Sequence, residues 1–139
     1  MTVENILVIE PDTHWHGIYQ DHFQRSFPGV QVIGVIDTAS AVARAQAQRF
    51  DLYTTNYPRS PSGALWTDHD PEGSLLRGRV AALWEVHPDA QIALLSARSR
   101  SSRPSIEALA QELGIAYFAK QDRDFLQKIA AHYGGLRAT

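Results

Sequence analysis

Residues 6–12 read ILVIEPD: four apolar side chains in a row, three of them β-branched, broken at once by an acid, a proline and a second acid. A run of that length is a strand, and being apolar at both parities it needs cover on both faces of its sheet. Four more runs of this kind follow, Val30 to Ile36, Leu52 to Thr55, Ile92 to Leu95 and Ile115 to Phe118. Helical periodicity fills the gaps between them, which is the signature of parallel strands joined by crossover helices.

The first helix carries Trp15, Ile18, Tyr19, His22 and Phe23 on one face, so an aromatic stripe interrupted by His22 is expected to meet the sheet. The second, from about Thr38 to Arg49, presents the small residues Ala41, Val42 and Ala45 and is capped by Asp37 or Thr38. A third reads from Leu76, Val80, Leu83 and Trp84 and stops before His87 and Pro88. The fourth has Pro104 near its first turn, Ile106, Leu109, Ala110 and Leu113 as its stripe, and Gly114 as its stop. In the fifth, Asp122 or Asp124 stands at the start, Phe125, Leu126, Ile129, Ala130 and Tyr133 form the apolar face, and Gly134 and Gly135 end it. The connection from Tyr57 to Ser74 is long and rich in Pro, Gly, Ser and Asp, a type of loop that is usually functional or mobile, and residues 136–139 read as a frayed tail.

Composition narrows the function classes. With 139 residues, 44% of them hydrophobic, the chain is expected to form one domain, 1–139, with its own core. A net charge of -2 offers no electrostatic footprint for nucleic acid. The lack of cysteine excludes disulfides, thiolate metal sites and cysteine nucleophiles, and fits the cytoplasm. No run approaches the roughly 20 apolar residues that cross a bilayer, so no membrane contact is expected. There is no glycine-rich phosphate loop after the first strand and no G-x-S-x-G elbow, and the chain is not expected to be an enzyme.

Five strands alternating with five helices predict an α/β, flavodoxin-like three-layer sandwich, its parallel sheet in the order 2-1-3-4-5 and its ligand crevice at the carboxyl ends of the strands. Those ends carry Glu10, Pro11 and Asp12, then Asn56, then Ser96 and Ala97, then Lys120. The segments ILVIEPD, FDLYTTNYP, IALLSA and AYFAK, in that order and at those intervals, resemble the receiver domain of two-component response regulators, the CheY-like family, over roughly Asn5 to Tyr133. The resemblance implies a pair of acids after the first strand that hold Mg²⁺ and an aspartate after the third that accepts a phosphoryl group. It further implies a hydroxyl after the fourth and a lysine after the fifth that contact that group, and an aromatic that reports it. Glu10, Ser96, Lys120 and Tyr117 match.

The departures decide the reading. At the acceptor position stands Asn56, a neutral carboxamide that cannot form an acyl phosphate. Pro11 replaces the second acid, so Mg²⁺ loses two of three anionic ligands unless Asp12 moves in. At an effective dielectric near 20, one charge pair at about 4 Å is worth roughly 4 kcal/mol, so losing two such attractions should abolish Mg²⁺ binding. Gln121 follows Lys120 where the family has proline. The resemblance thus implies a pseudo-receiver that signals through a protein partner, independently of phosphorylation and without a cofactor.

Several residues keep two readings at this point. Lys120 is an anion or switch contact, with a hydrogen bond to Asn56 in place of a former ion pair, or a snorkelling lysine. Ser96 is a retained hydroxyl contact or a polar loop cap, and Tyr117 a switch or a packed strand aromatic. Trp66 is a partner anchor or folds back over the pocket. Arg98, Arg100 and Arg103, interleaved with serines, steer an acidic partner or form a solvated loop. Asp12, His14 and His16 with Asp68, His69 and Asp70 of the long loop form a candidate Zn²⁺ or Ni²⁺ site, against the plainer reading of surface acids and divergent histidines. The alternative function is a ligand, anion or metal sensor in the altered crevice. A homodimer through the fourth and fifth helices is compatible with the sequence, which does not demand it.

Overall fold

The computed structural model describes residues 2–58, 73–96 and 106–134. Strands β1 (Asn5–Ile9), β2 (Gln31–Val35), β3 (Leu52–Thr55), β4 (Gln91–Ser96) and β5 (Ala116–Ala119) alternate with helices α1 (Thr13–Ser26), α2 (Thr38–Ala47), α3 (Ser74–Val86), α4 (Ile106–Leu113) and α5 (Phe125–His132). All strand pairs are parallel and the sheet order is β2-β1-β3-β4-β5, as the alternation predicts. The expected strands lie within about a residue of the observed ones; β5 runs one residue later than its apolar run. Among the described residues no helix is long and apolar enough to cross a membrane.

The period-2 alternation of each strand divides the core. Ile6 and Val8, with Leu52, Ala93 and Leu95, face Tyr19, Phe23, Phe125 and Ile129 of α1 and α5. Leu7 and Ile9, with Tyr53, Ile92 and Leu94, face Ala41 and Ala45 of α2, Leu76, Val80 and Leu83 of α3, and Leu109 of α4. A fully buried leucine or isoleucine contributes roughly 1.5–3 kcal/mol, so the two layers hold the strands between them and fix which ends converge.

Helix termini follow their residues. Asp12 caps α1, its Oδ1 accepting from His14 N at 3.0 Å, and Asp37 caps α2, accepting from Ser40 N at 2.8 Å. That backbone hydrogen bond holds the Asp37 carboxyl below its usual pKa. α2 ends at Ala47, two residues short of the expected Arg49, and Val42 is only half-buried. Asp124 occupies the cap position of α5 without a capping bond; it and Asp122 pair instead with Lys128. Gly114 and Gly134 close α4 and α5 at φ of 75° and 76°, the left-handed turn that glycine adopts freely.

His22 is not merely an interruption in the α1 stripe. Its Nε2–H donates to the Leu126 carbonyl at 3.0 Å and lies 3.2 Å from Ser26 Oγ, tying α1 to α5. Burial lowers its pKa from 6.5, partly opposed by the bond to Leu126. The folded chain therefore binds this proton less readily than the unfolded chain. The stability His22 contributes is whole above the unfolded pKa and is lost as pH falls through the lower folded value. Urea midpoints are expected to drop as pH falls below the unfolded value of about 6.5, with a shallower drop in His22→Gln. Equal slopes in the two proteins would mean that other groups control the acid limb.

Candidate functional site

Strands β1, β3 and β5 each continue one hydrogen bond past their ends. Glu10 N donates to Val35 O at 2.9 Å, Asn56 N to Ile9 O at 3.0 Å, and Lys120 N to Ser96 O at 3.1 Å. The ladder itself thereby holds Glu10, Asn56, Ser96 and Lys120 at the carboxyl edge.

Lys120 Nζ lies 2.8 Å from Glu10 Oε1, with side-chain exposures of 19% and 6%. The same ammonium sits 4.7 Å over the Trp15 ring, which stacks on Tyr19. The lysine is thus held between a carboxylate and an aromatic face, both of which stabilise a cation. Burial, reinforced by the negative charge of Glu10, pushes the Tyr19 hydroxyl pKa well above its usual range.

Asn56 is engaged elsewhere. Its Oδ1 accepts from Arg79 Nη1 at 3.0 Å and its Nδ2 donates to Tyr57 O at 2.8 Å. An amide satisfies both neighbours because it is acceptor at one end and donor at the other; a carboxylate would set an oxygen against the Tyr57 carbonyl. Arg79 Nη1 also reaches Thr55 Oγ1 at 2.9 Å, and its Nε reaches Thr38 Oγ1 at 2.8 Å. Arg79 as a whole is 5% exposed. Burial pushes its pKa down to about 10, while the charges of Asp37 and Glu10 work in the other direction, so it is cationic at neutral pH.

No family model matches the chain, and no curated protein matches it. Solved structures do. A CheY-like response regulator receiver domain protein from Methanospirillum hungatei is 18% identical with a TM-score of 0.66, the match covering 95% of this chain and 94% of that one. An orphan response regulator of H. pylori is 16% identical, TM-score 0.67, covering 96% and 95%. The isolated REC domain of RcsB from Salmonella enterica is 16% identical, TM-score 0.69, covering 99% and 93%. The fold is that of a receiver domain.

Within this receiver fold the structure separates what the sequence grouped. Of the two readings of Lys120, the one with a bond to Asn56 is not realised: Lys120 bonds Glu10, and Arg79 takes the amide instead. Tyr117 is half-buried, packed against the α2, α3 and α4 layer, and its hydroxyl donates to Ser96 O at 3.2 Å. Asp12 is exposed and occupied as the α1 cap, and His14 is exposed. His16 points at the protein, its Nε2–H donating to Glu10 O at 2.7 Å. Among the described residues no cluster of three or more metal-ligating side chains forms, and Asp68, His69 and Asp70 lie outside them. Trp66, Arg98, Arg100, Arg103 and Pro104 also lie outside the described residues.

A divalent cation does not fit the donors present. Glu10 is neutralised by Lys120, Pro11 has no side-chain donor, and Asn56 Oδ1 faces a guanidinium. Such an ion wants several free oxygens, and these are already committed.

Two residues escaped the sequence reading. Arg79 sits three residues after Leu76 and one before Val80, inside the α3 stripe, where a charge calls for a buried partner. Gly34 lies mid-strand in β2, and a Cβ there would stand 2.5 Å from His16 Nδ1. A glycine inside a strand marks such close approach. Because the ring is fixed by its bond to Glu10 O, Gly34→Ala is expected to cost about 1–3 kcal/mol in urea unfolding. Adding His16→Ala should recover part of that loss; a strictly additive double variant would place the strain elsewhere.

Proposed function

We propose that this chain is a pseudo-receiver: a signalling module that works through contact with a protein partner and not through phosphorylation of its own crevice. The observation that carries the reading is Asn56, whose amide is bonded at both ends, to Arg79 and to Tyr57 O, at the strand end where the resemblance places a phosphoryl acceptor. The carboxamide lacks the nucleophilic oxyanion that phosphoryl transfer to this position needs. The lysine of the same crevice is turned to Glu10. A receiver fold without turnover retains its surfaces, and the partner reading follows from that; Trp66, Arg98, Arg100 and Arg103 remain the proposed contact residues.

The test has two arms. Acetyl phosphate or beryllofluoride with Mg²⁺ is expected to leave the amide resonances of Glu10, Asn56 and Lys120 unshifted and the intact mass unchanged. A stable phosphoryl adduct that moves those resonances sinks the proposal. In the second arm, a partner captured from the native host should be lost on Trp66→Ala or Arg100→Glu, and retention by both would move the contact surface elsewhere.

A further inference from the structure

Arg79 has an unusual position: the residue is 5% exposed, inside the apolar layer, and its guanidinium is bonded to three neutral oxygens from two separate connections. Thr38 opens α2 after β2, and Thr55 and Asn56 end β3. Its anionic neighbours act at a distance, Asp37 at the α2 cap and Glu10 at the end of β1. Glu10 is already neutralised by Lys120 at 2.8 Å. The crevice therefore holds one buried carboxylate against two fixed cations. A buried charge is costly unless it compensates others, so a cation kept here has to be worth its desolvation through the groups it joins.

We propose that Arg79 is the built-in cation of this crevice, cross-linking the start of α2 and the end of β3 from α3 and barring divalent metal ions by charge and by occupation of Asn56 Oδ1. The crevice is then held in one arrangement by the fold itself, with no ion required and none admitted. This deepens the reading of the crevice as chemically silent and rests on it. Lys120 alone does not have this effect, because its charge is spent on Glu10 and its remaining face on Trp15.

Paramagnetic broadening by Mn²⁺ of the backbone amides at positions 10 and 56 tests the assignment. Wild type is expected to show none at millimolar Mn²⁺. Asn56→Asp with Arg79 in place should also show none, because the new carboxylate is matched by the guanidinium. The double variant Asn56→Asp/Arg79→Gln, which adds an anion and removes the cation, is expected to bind Mn²⁺ at least about tenfold more tightly than wild type. Binding by the Asn56→Asp single variant, or none by a folded double variant, would overturn the proposal. Should the double variant not fold, the single variant still decides it. Failure here is distinct from failure of the pseudo-receiver reading, which shows as a phosphoryl adduct on the wild-type chain and leaves the Mn²⁺ result untouched.

Discussion

Arg79→Met is expected to lower the unfolding free energy by about 2–4 kcal/mol, a large part of a typical domain's stability. Methionine fills most of the volume, so the loss reports bonds and not a cavity. Removing the arginine relieves the desolvation of a charge but leaves the part-buried Asn56 Oδ1 and Thr38 Oγ1 without the donor they face, at roughly 1–2 kcal/mol each, the lower part of the range for a buried group left unpaired. Thr55 Oγ1 suffers less, since it also donates to Asn56 O at 2.7 Å. Arg79→Lys keeps the charge but cannot reproduce a planar fork that reaches three oxygens, and should lose about half as much. Urea unfolding with an unchanged m-value measures both. A loss below about 1 kcal/mol for methionine would show that the guanidinium is a passenger in the α3 stripe.

The contrast between Arg79 and the strands shows what one dimension can hold. Each strand was legible because its apolar, β-branched run is contiguous, so four to seven neighbouring residues carry the whole signal. Helix ends were legible for the same reason: Asp37 caps and Gly114 stops through contacts within a few residues of themselves. The ordered segments at the strand ends then placed Glu10, Asn56, Ser96 and Lys120 on one edge, because a parallel sheet brings all carboxyl ends together whatever the loops do.

Pairing among those residues was not legible. Arg79 lies 41, 24 and 23 residues from Thr38, Thr55 and Asn56, and Lys120 lies 110 from Glu10. Which cation takes which oxygen depends on the helix that brings it, and on this the periodicity of α3 says only that position 79 faces inward. Pairing Lys120 with Asn56 follows only if the strand ends are a closed set, and Arg79 reaches that edge from a helix. His16 shows the same limit: two histidines in the first turn of α1 suggest ligands, yet one ring is consumed by a backbone carbonyl across the space that Gly34 leaves open.

The second large effect is an asymmetry between the partners of the Glu10–Lys120 bond. Lys120→Met is expected to cost about 2–3 kcal/mol, and Glu10→Gln about 1 kcal/mol, although each removes the same contact. The carboxylate has 6% side-chain exposure, so without the ammonium it keeps its charge away from water with only distant help from Arg79. The lysine has 19% exposure and the face of Trp15, so without the carboxylate it retains a cation–π contact and a route to solvent. In the double variant the uncompensated charge disappears along with its partner, and the cost should fall below the sum of the singles by about 1–2 kcal/mol. A cycle with no such coupling would mean that the pair is screened as at a surface, and that Lys120 is free to answer an anion in the crevice. Coupling of the expected size means instead that the lysine is already spent on Glu10 and is not free to answer an anion in the crevice.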